Sequence, residues 1–151
     1  MKFFVDENMN AACIPPLSAM YFDHEFHSAW DEGLSGEKDL DLFRELKRRR
    51  FQAIITMDRQ QLQDQAERQA IADARLHWVG YRAKGIGGLR GLALETATVT
   101  AGLAYVLEEW QSEPHQYMLS HIPHDMSQRL KIAPLVLAKT RPRMVPRPKT
   151  A

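Results

Sequence analysis

Short apolar runs alternate with stretches of helical periodicity from the first residues to about residue 111. Residues 2–5, Lys-Phe-Phe-Val, are aromatic and β-branched and stop at an acidic pair, which reads as a buried strand. Residues 9–20 are richer in Ala, Met, Leu and Ile and predict a helix that Pro15 and Pro16 interrupt or restart. Residues 24–30 suggest a second strand. Gly33-Leu34-Ser35-Gly36 is a turn, with Ser35 as the expected helix N-cap and Glu37 and Asp39 in the first helical turn, where the helix dipole favours acids. This helix is expected to reach about Arg50, with Leu40, Phe43, Leu46 and Lys47 on one side. Residues 52–57 form the clearest strand and end at Asp58. Residues 60–75 are helical in composition, and 76–82 read as a fourth strand. After a joint of Gly85, Gly87, Gly88 and Gly91, a long helix is expected over 92–111. Residues 116–122 and 130–138 read as short strands or loops.

This alternation predicts an α/β fold with a central parallel sheet flanked by helices. The chain divides into one expected domain over 1–138 and a basic, proline-rich tail over 139–151, expected to be disordered. The tail holds Lys139, Arg141, Arg143, Arg147 and Lys149 and no acid, so the net charge of +1 conceals an acidic body. Such a tail either contacts phosphates at long range or solubilises the chain. Hydrophobic residues at 44% and charged residues at 26% fit a globular domain. The single cysteine, Cys13, has no partner for an internal disulfide and is expected to act as a small buried hydrophobe. No apolar run approaches the roughly 20 residues that span a bilayer. The first residues do not read as a secretion signal, so a cytoplasmic protein with no membrane partner is expected.

The candidate chemistry lies at strand ends. Open α/β sheets form sites beyond the carboxyl ends of their strands. The first strand runs into Asp6-Glu7-Asn8 and the third into Thr56-Met57-Asp58. If both are central and parallel, Asp6 and Asp58 share one crevice, and Asp39 approaches it from the intervening helix. Clustered carboxylates repel one another unless a cation lies between them. Mg²⁺ or Mn²⁺ suits such an all-oxygen set, activates water and stabilises displacement at phosphorus. Asn8 and Thr56 are candidates for neutral hydrogen bonds to a ligating carboxylate. Taken singly, each aspartate reads equally well as a turn, cap or dipole-complementing residue.

The ordered motifs carry a resemblance. Phe3-Phe4-Val5-Asp6-Glu7-Asn8 resembles the opening strand of short PIN-like proteins. Gly33-Leu34-Ser35-Gly36 followed by Asp39 resembles their middle motif, and Ile54-Ile55-Thr56-Met57-Asp58-Arg59 their third. The resemblance covers roughly the first 80 residues. It implies a PIN-like three-layer fold and a metal-dependent endoribonuclease. It also implies the toxin half of a VapC-type toxin–antitoxin pair, with RNA as substrate and an antitoxin protein as partner. By position, Asp6, Asp39 and Asp58 match the family's acidic cluster. The family often carries another acid two residues after the third-motif aspartate, where this chain has Gln60; Asp64, one helical turn on, is the candidate substitute as a metal ligand.

Arg59, Arg82 and Lys84 are the candidate RNA contacts, and the Leu/Val stripe of the long helix is core or a homodimer surface. Two other readings fit the same acids. One is a response-regulator-like receiver phosphorylated on Asp58, although Lys84 comes one strand too early for it. The other is a catalytically inactive PIN-like binding protein.

Overall fold

The computed structural model describes residues 1–82, 85–123 and 125–135. The expected tail at 139–151 and Lys84 lie outside these residues. Five strands form one parallel sheet: β1 (Lys2–Val5), β2 (Glu25–Ser28), β3 (Ala53–Thr56), β4 (His77–Gly80) and β5 (Gln116–Met118), in the order β2-β1-β3-β4-β5. The helices are α1 (Ile14–Met20), α2 (Asp39–Arg48), α3 (Gln60–Gln63), α4 (Gln65–Asp73), α5 (Gly88–Glu108) and α6 (Met126–Arg129). A 3₁₀ turn at Ala11–Cys13 precedes α1.

The central strands are apolar on both faces because both faces are covered. Side chains alternate across the pleat. Phe3, Val5, Ala53, Ile55 and Val79 face one way and pack with Cys13, Leu17, Val99, Leu103 and Val106 of the α1–α5 layer. Phe4, Ile54 and Trp78 face the other way, against Leu42, Phe43, Leu46 and Ile71 of α2 and α4. Phe3 stacks on Phe26 with ring centroids 5.2 Å apart. Each such fully buried side chain stabilises the fold by about 1.5–3 kcal/mol. Phe3 and Phe4 are both 0% exposed, so the two layers are fixed to the sheet through adjacent residues of one strand.

Several expectations need correction. Ser35 does not cap α2: the cap position is Lys38, which makes no side-chain cap bond, and the Ser35 hydroxyl is buried with no hydrogen-bond partner among the described residues. Gly33 and Gly36 both adopt positive φ, which lengthens the turn and delays the helix until Asp39. The buried stripe of α2 is Leu42, Phe43 and Leu46, whereas Leu40 is exposed. The helix expected over 60–75 is broken, because Asp64 adopts an extended backbone between α3 and α4 and caps the latter. The long helix starts at Gly88 and ends at Glu108, earlier at both ends than its apolar stripe predicts. Residues 130–135 form no strand; the rest of the 130–138 expectation lies outside the described residues.

Candidate active site

The strand order places β1 directly beside β3, so their carboxyl ends open on one side of the sheet. The Asp6 amide donates to the Ile55 carbonyl at 3.0 Å and extends the ladder by one step before the chain turns away. Asp6 is 7% exposed, and Thr56 is fully buried. The Thr56 hydroxyl is the hub of the site. It donates to Asp6 Oδ2 at 2.7 Å, and it accepts from Asn8 Nδ2 at 3.0 Å and from the Asp58 amide at 3.0 Å. Asn8 Nδ2 also lies 2.9 Å from Asp6 Oδ2, and Asn8 Oδ1 accepts from the Met57 amide at 3.0 Å. The side chain of Asn8 therefore ties the end of β1 to the end of β3. Glu7 Oε2 accepts from the Gly36 amide at 2.7 Å, which secures the glycine turn to the same edge.

Asp39 begins α2 and reaches the site from the neighbouring layer. Its Oδ1 accepts from Gln61 Nε2 at 3.0 Å, and Gln61 Oε1 accepts from the Trp78 indole N–H at 3.3 Å. Gln61 is 1% exposed, so both ends of its amide are committed and the carboxylate orientation is set from within the core. Sequence reasoning missed Gln61, because it lies in the polar run Gln60-Gln61-Leu62-Gln63, where nothing local marks one glutamine as buried. Asp58 Oδ1 accepts from the Gln60 amide at 2.8 Å. Oδ2 of Asp39 and of Asp58 has no hydrogen-bond partner among the described residues.

Electrostatics join these groups. Burial pushes the Asp6 carboxyl above its ordinary range; the Thr56 and Glu7 hydrogen bonds oppose the rise, and the charges of Asp39 and Glu7 add to it. Burial also raises Asp39, against the Gln61 hydrogen bond and with the charges of Asp58 and Glu7. Glu67, on the first turn of α4, is raised by burial and then by Asp39, Asp64 and Asp58. Glu67 thus belongs to the acidic group, and sequence reasoning missed it because it lies in no motif. Asp64 uses Oδ1 to accept from the Ala66 and Glu67 amides at 2.8 and 3.0 Å. Its position among the acids is that of a helix cap at the margin.

The donor set suits a hard divalent cation: all donors are carboxylate oxygens, two of them lack partners, and the acids repel one another. Among the described residues no three side chains converge closely enough to enclose an ion as placed. Arg59 is exposed beside Asp58, and Arg82 is exposed just past β4. No described helix is long and apolar enough to cross a membrane.

No curated protein and no solved structure gives a significant match. A family model described as a PIN like domain matches residues 1–82, which contain all four strands that border the acids. PIN-like domains are in general nucleases and typically use Mg²⁺ or Mn²⁺. With more than half of its length matched and the parallel sheet in place, the chain belongs to the PIN-like domain family.

Proposed function

We propose that the chain is a metal-dependent endoribonuclease that hydrolyses RNA phosphodiester bonds, as the toxin component of a VapC-type toxin–antitoxin pair. The observation that supports this most is geometric: Asp6 and Asp58 lie just past the carboxyl ends of the adjacent parallel strands β1 and β3, and Asp39, at the start of α2, is close enough for its charge to raise Asp6. Asp6, Asp39 and Asp58 would hold Mg²⁺ or Mn²⁺, with Asp64 at the edge of the same group. The ion, when bound, supplies charge neutralisation and an activated water. The chain's own residues do the rest. Thr56 and Asn8 fix the Asp6 carboxylate, and Gln61 fixes Asp39. Arg59 and Arg82, both exposed, would meet RNA phosphates, and Lys84 is proposed for the same role from its sequence position. The antitoxin would be a protein that covers the acidic edge, and a homodimer is compatible with the exposed side of α5.

The test is cleavage of single-stranded RNA with Mg²⁺ or Mn²⁺ by the wild type and by Asp6→Asn. Activity is expected only in the wild type; equal activity in both would sink the assignment. The receiver reading draws no support from the family match or from Tyr81-Arg82, the residues that follow β4.

A further inference from the structure

We propose that Trp30 is a stacking platform at this site, so that the chain takes single-stranded nucleic acid and seats one unpaired base on the indole. The proposal rests on the nuclease reading above and its single-stranded substrate, and adds the residue on which one base is seated.

Trp30 lies two residues beyond β2, at the same edge of the sheet as the acids. It is 78% exposed, and with Asp6, Glu7, Asn10 and Ser28 it lines a cleft of about 310 Å³. Among the described residues no aromatic ring packs on it, whereas Trp78 and Trp110 both have partners inside the fold. The turn that presents it is tightly held. Ser28 Oγ donates to Asp31 Oδ2 at 2.7 Å, and the Ala29 amide donates to the Val5 carbonyl at 3.1 Å. The Gly33 amide donates to the Trp30 carbonyl at 3.1 Å, and the Leu34 amide donates to the Ala29 carbonyl at 2.8 Å. Ala29 and Leu34 are buried in the core on either side, so the turn is anchored while its largest side chain is left in water.

The charge of the cleft selects the kind of contact. Asp6 and Glu7 line it, and Asp31 and Glu32 follow the indole in sequence, so apart from a bound cation this wall offers phosphate no positive partner and the indole itself is left to meet an uncharged group. A nucleobase carries no net charge and presents a π face, which is what an exposed indole binds. In a duplex both faces of a base are covered by its neighbours, so the occupant must be an unpaired or splayed base. Phe22 is exposed to a similar degree but precedes β2, at the end of the sheet away from the acids.

The experiment is a fluorescence-anisotropy titration of the full chain with a labelled uridine oligoribonucleotide of about ten nucleotides. Wild type, Trp30→Ala and Trp30→Phe are compared, with calorimetric Mn²⁺ binding measured in parallel. Trp30→Ala is expected to bind the oligonucleotide about tenfold more weakly, and Trp30→Phe within about threefold of wild type. Mn²⁺ affinity is expected to be unchanged in both, and a blunt RNA duplex is expected to bind more weakly than the single strand. Equal binding by Trp30→Ala, or tighter binding of the duplex, overturns the proposal. If Trp30→Ala binds as wild type while Asp6→Asn abolishes cleavage, the stacking role falls and the nuclease reading stands. Wild type that cleaves nothing but loses oligonucleotide affinity on Trp30→Ala gives the reverse. A Trp30→Ala variant that loses only a protein partner marks the indole as a protein contact and overturns its role in stacking.

Discussion

Replacing Thr56 by valine removes one oxygen and keeps the side-chain shape. Thr56 is fully buried, and its hydroxyl donates to the Asp6 carboxylate at 2.7 Å. A hydrogen bond to a charged group contributes about 1.5–3 kcal/mol. The same substitution leaves the Asp58 amide without its acceptor, at a further cost of up to about 1 kcal/mol because Asp58 is only half-buried. The Asn8 amide is exposed, and water replaces its contact. The expected loss is about 2–4 kcal/mol, or a Tm lower by roughly 4–15 °C for a chain of this length. The pH dependence has a definite sign. Asp6 already titrates above its ordinary value of 3.8, and the Thr56 bond is the largest influence opposing that rise. A raised carboxyl contributes stability that is present below 3.8 and lost as pH rises through its folded value. Valine raises Asp6 further, so the deficit of Thr56→Val is largest at neutral pH and shrinks as pH falls below 3.8, where the carboxyl is protonated folded and unfolded alike. Thr56→Ser restores most of the loss. The assay is thermal unfolding followed by circular dichroism in chelator-containing buffer at both pH values. A valine variant as stable as wild type at neutral pH, or a deficit of equal size at both pH values, refutes the reasoning.

Gln61→Leu leaves the Trp78 indole N–H buried and frees Asp39, so stability should fall by about 1–3 kcal/mol. Mn²⁺ affinity by calorimetry should drop about 10–100-fold, and unchanged affinity would remove Gln61 from any role in positioning Asp39. Gly80 has no room for a methyl group: a Cβ there would stand 2.4 Å from the Thr56 carbonyl oxygen and 2.5 Å from the Trp78 ring. Gly80→Ala should therefore cost at least about 1–3 kcal/mol in chemical denaturation, and a neutral result would contradict the packing of β3 on β4. Burial, with the nearby Glu95 carboxylate, pushes the Cys13 thiol up to about 11. Its alkylation at pH 8 should be at least about a hundredfold slower than that of free cysteine, and unfolding with denaturant should abolish the protection. The same shift makes stability fall as pH rises from about 9 through about 11, and Cys13→Ala should flatten that decline.

The central strands β1, β3 and β4 were legible because each lies in a short, largely apolar run that stops at an acid, a glycine or a polar turn, whereas β2 and β5 are polar in sequence. Residues 2–5 match β1 as expected, and β3 and β4 lie within their expected runs. The parallel order followed from the alternation of strands and helices. What stayed hidden depends on contacts between distant segments. Leu40 and Leu42 both fit a helical stripe with Phe43 and Leu46, and only the position of the sheet selects Leu42. Ser35 has the chemistry of a cap, but two positive-φ glycines carry the chain past it. Asp64 was visible as an acid, yet its extended backbone and its role as a cap were not. Gln61 and Glu67 lie on helical turns whose composition reads as solvent-facing, and nothing local shows that both approach Asp39. Trp30 looked like the end of a strand; its exposure follows from β2 stopping at Ser28.

The family match ends at residue 82, but the sheet does not. Much of one layer of the sandwich, α5 with Val99, Leu103 and Val106, comes from later in the chain, as does the fifth strand. A fragment cut at residue 82 would keep every acid of the candidate site and lose the α5 cover over Phe3, Val5, Ile55 and Val79. Such a fragment would present a sticky apolar sheet face and an open β4 edge, and would aggregate before it could be assayed. Expression boundaries, fusion points and any minimal catalytic unit therefore have to be drawn beyond β5.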